Sequence, residues 1–268
     1  MVVSEKSRSD RPALLIRSAA VFVAVTIWWL VLYHGVAAVT GDEYTRGGHV
    51  VRAVGATLGT VALLYAALRF LDRRPWSDLG LAAQGRWRAF LFGVACWGVP
   101  AAVTMAVVLW LGWAEQTVRA EAPETLLALV GLVALVLLYE ALPEELIFRG
   151  YFFTNLAERW PTGITVVAQA MLFTAWGVLI GAATSVDRLV LFFAFSLVQG
   201  AIRATTGNLF ACIGFHATFQ LGTQFLGSQW NYIDLDDPDL SVTGLAFVIV
   251  PFLTTAIVLW SLARKRRS

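Results

Sequence analysis

One apolar run limits what this chain can fold into more than any other feature. Residues 125–142 read TLLALVGLVALVLLYEAL, with a single charged side chain, Glu140. About 20 predominantly apolar residues cross the ~30 Å hydrocarbon core of a bilayer as one helix. Runs of this kind recur along the chain, and 58% of its residues are apolar against 14% charged, more than a soluble core requires. The sequence therefore predicts an all-α integral membrane protein.

Eight apolar runs are candidate membrane spans. They cover residues 17–39, 49–70, 88–113, 125–153, 163–181, 189–203, 207–227 and 242–263. The sixth run is short, which is typical of a tilted or partly re-entrant helix. We predict a polytopic bundle of about eight helices, forming a single membrane domain over 1–268, with basic cytoplasmic tails at 1–16 and 264–268. The first run could also be a secretory signal, but its length favours a membrane anchor.

Basic residues predict which side of the membrane each end occupies, because short loops rich in Lys and Arg stay in the cytoplasm. With a cytoplasmic N-terminus and eight spans, sixteen of the twenty Lys and Arg residues fall on the cytoplasmic side. The other side keeps four of them and carries the acidic segment 234–239. We therefore predict cytoplasmic termini in the cell (plasma or inner) membrane. The basic tail 264–268 is expected to contact membrane lipids and not nucleic acid.

The fourth and seventh predicted spans carry few charged side chains or histidines. They are Glu140, Glu144, Glu145, Arg149 and His216. A charge at a helix centre costs roughly 2.5–3.5 kcal/mol on insertion scales, so such side chains usually face a protein interior or a wet cavity. We therefore expect these residues to face one another.

Helical spacing suggests separate roles for the two adjacent glutamates. Glu145 and Arg149 are four residues apart and share a helix face, whereas Glu144 lies about 100° away around the axis. An ion pair between Glu145 and Arg149 would leave Glu144 as the candidate base, although the two glutamates could exchange roles. Pro143 removes a helix hydrogen bond just before them. This predicts a kink that opens room for water.

The seventh run carries a polar stripe, because His216, Gln220 and Gln224 follow at intervals of four. His216 lies about 12 Å from the cytoplasmic end of its run, at 1.5 Å per residue, and Glu144 lies at a similar depth. Equal depth predicts one shared site near the cytoplasmic face. Two plainer interpretations stay open: a solvated charge pair at the membrane surface for the glutamates, and an interhelical hydrogen bond for His216.

The segment 144-EELIFRG-150 resembles the first motif, Glu-Glu-x-x-x-Arg, of the CPBP family of intramembrane proteases. This CAAX-processing and bacteriocin-processing family is also called the type II CAAX endoprotease or Abi family. Its third motif is His-x-x-x-Asn, and 216-HATFQ-220 is similar to it, with Gln220 in the place of the amide. The resemblance covers about residues 125–227.

The second motif of the family, Phe-x-x-x-His, is incomplete in this chain. Phe173 is present, but Gly177 stands where the family has histidine. The resemblance implies a water activated by a first-motif glutamate together with the second-motif histidine, and an oxyanion stabilised by His216 and Gln220. The substrate would be a membrane-associated protein, prenylated in one branch of the family. With Gly177 the chain is expected to be a slow protease.

The cofactor and two other functions stay open. A family-type divalent metal is compatible with the resemblance, but catalytic zinc needs about three protein ligands plus water, and His216 with two carboxylates is a poor set for tight binding. A catalytically silent member could act as a membrane scaffold for a peptide, or as an immunity-type protein. A proton-coupled transporter using Glu140 and Glu144 is the third function, and the absence of a sequence repeat between the two halves weighs against it.

Overall fold

The computed structural model describes residues 12–41, 44–82, 84–119, 121–226, 230, 232–237 and 240–266. Three parts of the predicted organisation lie outside the described residues. They are residues 1–11 of the N-terminal tail, residues 267–268 of the C-terminal tail and residue 227, the last of the family-like region.

Eight long helices account for most of the described residues. They are α1 (Leu14–Thr40), α2 (Arg46–Asp72), α3 (Arg86–Trp110), α4 (Ala122–Leu156), α5 (Thr162–Leu179), α6 (Val186–Thr206), α7 (Leu209–Phe225) and α8 (Ser241–Lys265). Within the described residues, seven helices are long and apolar enough to cross a membrane. The other long helix, α7, has 17 residues and is about 25 Å long at 1.5 Å per residue. The structure confirms a polytopic all-α bundle.

The sixth and seventh helices differ in length from the sequence prediction. Helix α6 has 21 residues and is not a short span, because it includes polar residues at both ends that the apolar count left out. It ends at Gly207, whose φ of 68° is a left-handed conformation that glycine adopts without strain. Asn208 precedes α7, and its side-chain oxygen accepts a hydrogen bond from the Phe210 N–H, a common N-terminal cap.

Successive helices run in alternating directions and bring both ends of the described chain to one face, here called the terminal face. Arg17 at the start of α1 pairs with Asp72 at the end of α2 (3.0 Å) and with Glu158 just after α4 (2.6 Å). Arg266, after α8, donates to the carbonyl of Thr205 at the end of α6 (2.6 Å). Both ends of the described chain therefore lie at the same face of the bundle.

The opposite face, here called the sheet face, carries two short strands. Strand β1 (Glu115–Val118) lies between α3 and α4, and β2 (Ile233–Asp236) lies between α7 and α8. They pair antiparallel, and Arg119 and Asp234 form an ion pair beside them. The strands therefore connect two separated parts of the chain at this face.

Helices α3 and α7 pack backbone against backbone at two glycines. A Cβ added to Gly93 would overlap the carbonyl oxygen of Ala211, and a Cβ added to Gly214 would overlap the carbonyl oxygen of Phe90. Small residues commonly allow this close approach between membrane helices. The contact holds α7, and with it His216, in a fixed position against α3.

Helix α4 departs from regular α geometry around the glutamates. It is α-helical over Ala122–Val136 and has wider π turns over Leu137–Ala141 and Leu146–Phe152. Wide turns of this kind are frequent at functional sites. Pro143 lies between the two π segments and cannot donate a backbone hydrogen bond to the preceding turn. The local irregularity at Pro143 thus takes the form of wide turns within one 35-residue helix.

Candidate active site

Glu145 is the centre of a buried hydrogen-bond cluster between α4, α6 and α7. Its Oε1 accepts from Arg149 Nη1 (3.0 Å) and Gln199 Nε2 (3.2 Å), and lies 2.8 Å from His216 Nδ1. Glu145, Arg149 and His216 are almost completely inaccessible to solvent. The i,i+4 ion pair expected from the sequence is therefore present, and it also contacts the histidine of α7.

The contact with Glu145 assigns the two nitrogens of His216 different tasks. Glu145 forms an ion pair with Arg149, and a carboxylate in such a pair accepts hydrogen bonds, so the contact fits the tautomer in which His216 Nδ1 carries the proton. Nε2 faces the other glutamate and lies 3.9 Å from Glu144 Oε2. Glu145 therefore orients the imidazole and leaves Nε2 available beside Glu144.

Glu144 differs from Glu145 in having no hydrogen-bond donor. Within the described part of the chain, none of the hydrogen bonds ends on its carboxylate, and its side chain keeps 12% of its surface exposed. Glu144 borders a cavity of about 310 Å³ between the helices. Its oxygens are therefore available to a water molecule or to a substrate in that cavity.

Arg149 is held in place by polar and aromatic partners. Its Nη2 donates to Ser196 Oγ (2.9 Å), and that hydroxyl donates to Gln169 Oε1 (3.3 Å). The guanidinium carbon lies 4.7 Å from the ring centre of Phe173, which is a cation–π arrangement. The retained phenylalanine of the second motif thus supports the cation that pairs with Glu145.

Ser196 and Gln199 are site residues that the sequence analysis missed. Gln199 Nε2 bridges Glu145 Oε1 (3.2 Å) and the carbonyl of Cys212 (3.2 Å). The signal that could have found these residues is a polar stripe in an apolar run, because positions 196, 199 and 203 share one face of a helix. The sixth helix therefore contributes to the site through polar residues as well as through its apolar ones.

Gln220 lies on the cavity wall near His216. Its Oε1 accepts a hydrogen bond from the Thr223 hydroxyl at 3.4 Å, which leaves the amide nitrogen able to donate into the cavity. Glu140 also borders the cavity, but its carboxylate accepts from Gln224 Nε2 at 2.7 and 2.9 Å. Glu140 is therefore engaged with the polar stripe of α7 and is separate from the pair formed by Glu144 and His216.

A phenylalanine from α6 fills the space beside Gly177. A Cβ built on Gly177 would lie 2.6 Å from two ring carbons of Phe192. That ring stacks on Phe173, with centroids 5.3 Å apart and planes 24° apart. Where the family motif has an imidazole, this chain therefore presents an aromatic wall.

The donor set does not fit a tightly bound zinc ion. Over the residues that the structure describes, no group of three or more His, Cys, Asp and Glu side chains could hold a metal. Glu144 Oε2 and His216 Nε2 face each other, but His216 Nδ1 is already bonded to Glu145. A catalytic zinc site needs about three protein ligands.

These features define a class of protein: a polytopic membrane protein with an interior Glu-Glu-x-x-x-Arg motif in contact with a His-x-x-x-Gln motif. The family model described as "Type II CAAX prenyl endopeptidase Rce1-like" matches residues 124–222. The match includes all three motif positions and confirms the family resemblance predicted from the sequence. It supports a CAAX-type intramembrane protease at the level of the family. No curated protein matches the chain.

Proposed function

We propose that this protein is an intramembrane endopeptidase that uses a glutamate-activated water to hydrolyse a peptide bond of a membrane-associated protein. The observation that carries the proposal is the contrast between the two glutamates. Glu145 is held by three side chains, whereas Glu144 borders the cavity with no hydrogen-bond donor among the described residues, 3.9 Å from His216 Nε2. One carboxylate thus has a positioning role and the other is available for proton transfer.

In the proposed reaction, Glu144 accepts a proton from water while the water oxygen attacks the peptide carbonyl carbon. The Gln220 amide donates to the oxyanion of the tetrahedral intermediate. His216, oriented by Glu145, accepts a hydrogen bond from the attacking water through its unprotonated Nε2. Glu144 then returns its proton to the leaving amine as the C–N bond breaks. General acid–base catalysis of this kind typically contributes about 10²–10⁴ in rate.

The aromatic wall at Gly177 makes slow turnover the expected behaviour. In the family motif a histidine at this position would help to polarise the water. Here the nearest group is the Phe192 ring, which offers neither a donor nor an acceptor in its plane. Losing one polar group that stabilises the transition state typically costs about 10²–10³ in rate. We therefore propose hydrolysis at a rate lowered by roughly this factor.

The test is a quantitative census of new protein termini in membranes from cells that express the chain at matched levels. Glu144→Gln removes the proposed base, and Glu140→Gln is the matched control, because it makes the same change at a partly buried glutamate outside the pair. We expect termini that disappear with Glu144→Gln and persist with Glu140→Gln. Identical termini with the unchanged chain and with Glu144→Gln would refute the proposal.

A second candidate function is a silent family member that binds a membrane peptide without cutting it. The specific observation in its favour is the filled position beside Gly177, since Phe192 and Phe173 form a continuous apolar surface in the cavity. Under this alternative the termini would not depend on Glu144. A photo-crosslinker at a cavity position would still capture one membrane protein from cells that express the Glu144→Gln variant.

A further inference from the structure

The cavity beside the glutamates extends to the sheet face of the bundle. Beside Glu144 and His216, its lining includes Ile180 just after α5, Arg188 in the first turn of α6 and Thr243 in the first turn of α8. Those three positions lie at the sheet-face ends of their helices. Arg188 and Thr243 are exposed. The mouth of the cavity is therefore at the sheet face, between α5, α6 and α8.

Towards the terminal face the same helices are closely packed. The side chains that fill this half of the bundle have no accessible surface: Phe148, Tyr151, Phe152, Ile202, Leu209 and Phe215. Beyond them, Arg17 pairs with Asp72 and Glu158 across the ends of α1, α2 and α4. A peptide could reach Glu144 from the terminal face only by separating these helices.

The two faces also differ in the sign of their charge. Of the sixteen described Lys and Arg residues, eleven lie in the loops and helix ends of the terminal face, four lie towards the sheet face, and Arg149 lies in the buried site. At the sheet face the described acidic residues outnumber the basic ones, and they include Glu115, Glu121, Glu124, Asp187, Asp234, Asp236 and Asp237. Because basic loops stay in the cytoplasm, the terminal face is the cytoplasmic one.

We infer that the site is loaded from the extracytoplasmic side, and that its substrate is an extracytoplasmic peptide segment of a membrane-anchored protein. The role of this peptide as a substrate rests on the proposed protease function. The direction of access follows from the cavity and the charges alone. It differs from the depth argument, which predicted a site near the cytoplasmic face. The depth of the glutamates is counted from one end of α4, and depth alone does not show which half of the bundle is open.

The walls and the mouth of the cavity indicate the chemistry of the peptide. Aromatic side chains from α1, α4, α5, α6, α7 and α8 line the interior, which suits apolar residues next to the cut bond. At the mouth, Arg188 donates through Nε to the carbonyl of Ala182 (3.3 Å), and its guanidinium carbon lies 5.7 Å from the Phe192 ring centre. Its remaining N–H groups suit an acidic side chain or a terminal carboxylate of the peptide.

Cysteine labelling tests the direction of access without requiring activity. The background is Cys96→Ala, because Cys96 is partly accessible whereas Cys212 is buried. Thr243→Cys places a thiol at the mouth, and Arg159→Cys, between α4 and α5, is the matched exposed position on the terminal face. We expect a membrane-impermeant maleimide to label Thr243→Cys on intact cells or spheroplasts, and Arg159→Cys only after permeabilisation. The reverse pattern would overturn the inference.

A cysteine inside the cavity tests the path itself. Leu191→Cys lies on the cavity wall, deeper than Thr243. We expect a small, charged methanethiosulfonate to modify it from outside intact cells, and prior labelling of a cysteine at Thr243 with a bulky maleimide to slow that reaction at least tenfold. Modification only after permeabilisation, with no effect of labelling at the mouth, would show access from the terminal face.

The termini census separates the inference from the proposed function. Termini that depend on Glu144 and map to extracytoplasmic segments support both. Glu144-dependent termini that map to cytoplasmic segments leave the protease function standing and overturn the direction of access. If no termini depend on Glu144, the proposed protease function fails, while the two labelling experiments still decide from which side the cavity opens.

Discussion

Restoring a histidine at position 177 tests the site most directly, and the structure predicts that the single change fails. The Cβ of any residue at Gly177 would lie 2.6 Å from the Phe192 ring, closer than real Cβ contacts allow. The Phe192 ring is also stacked on Phe173, so it cannot move towards that side. A histidine at 177 therefore needs the ring of Phe192 to be removed.

The magnitudes follow from packing and from acid–base chemistry. Gly177→His forces overpacking, which typically costs about 1–3 kcal/mol. Phe192→Ala alone opens space. Its cost in stability should be below the roughly 3–5 kcal/mol typical of replacing a fully buried phenylalanine with alanine, because Phe192 is only half-buried. In the double variant the imidazole takes part of the space that the ring leaves. If it polarises the attacking water, the rate should rise by at least about 10², the low end of general acid–base effects.

The assay measures cleavage of a substrate found by the termini census, per amount of folded protein, in a double-mutant cycle. We expect Gly177→His to lower the yield of folded protein without a gain in rate, Phe192→Ala to change the rate little, and the double variant to gain. Gly177→His with Phe192→Leu keeps an apolar group in the space and is the control. A gain in the single variant equal to that of the double would refute the packing argument. No gain in the double would refute the role assigned to position 177.

Three further predictions concern the support of the site. Arg149→Met should destabilise the protein by about 3–5 kcal/mol, because it leaves Glu145 buried without its cation. The double variant Arg149→Met with Glu145→Leu should recover much of the thermal stability in detergent but none of the cleavage. Gln220→Asn should keep cleavage within about tenfold, whereas Gln220→Leu should lose about 10²–10³ in rate with an unchanged melting temperature. Asp237 caps the start of α8 by accepting hydrogen bonds from backbone N–H groups at 2.9–3.1 Å. Partial burial raises the pKa of its carboxyl, but these hydrogen bonds lower it more. The net pKa is therefore below its usual value. Asp237→Ala should therefore cost roughly 0.5–2 kcal/mol, a contribution present at neutral pH and lost as the pH falls through the lowered pKa, which thermal unfolding at several pH values can measure.

The sequence was sufficient for those features that depend on one helix at a time. The lengths of the apolar runs predicted the membrane helices, and a spacing of four residues predicted the ion pair of Glu145 and Arg149. The contact of Glu145 with His216 needs two helices, and the sequence offered only a depth estimate for it. Gln199 lies on a helix whose apolar run in the sequence is short, and its partner Glu145 lies on a different helix.

The direction of the cavity could not be predicted, because it depends on which side chains fill each half of the bundle. Both halves of α4 are apolar in sequence. In the bundle, apolar side chains fill the half towards the terminal face, and apolar side chains also line the cavity in the half towards the sheet face. Phe148 is fully buried below the site, whereas Phe192 and Phe219 line the cavity above it. Residue type alone does not distinguish a phenylalanine that fills a core from one that lines a cavity.

The buried charges are better explained by positioning than by stability. Replacing a buried ion pair with apolar residues of similar size is often neutral or stabilising, so the pair of Glu145 and Arg149 is weak evidence for a structural need. The pair does have a geometric effect, because Glu145 Oε1 fixes His216 Nδ1 at 2.8 Å and thereby directs Nε2 to Glu144. A scaffold that only binds an apolar peptide would need the aromatic walls but not this alignment. The alignment of the Glu144 carboxylate, which borders the cavity, with an oriented imidazole favours hydrolysis over simple binding.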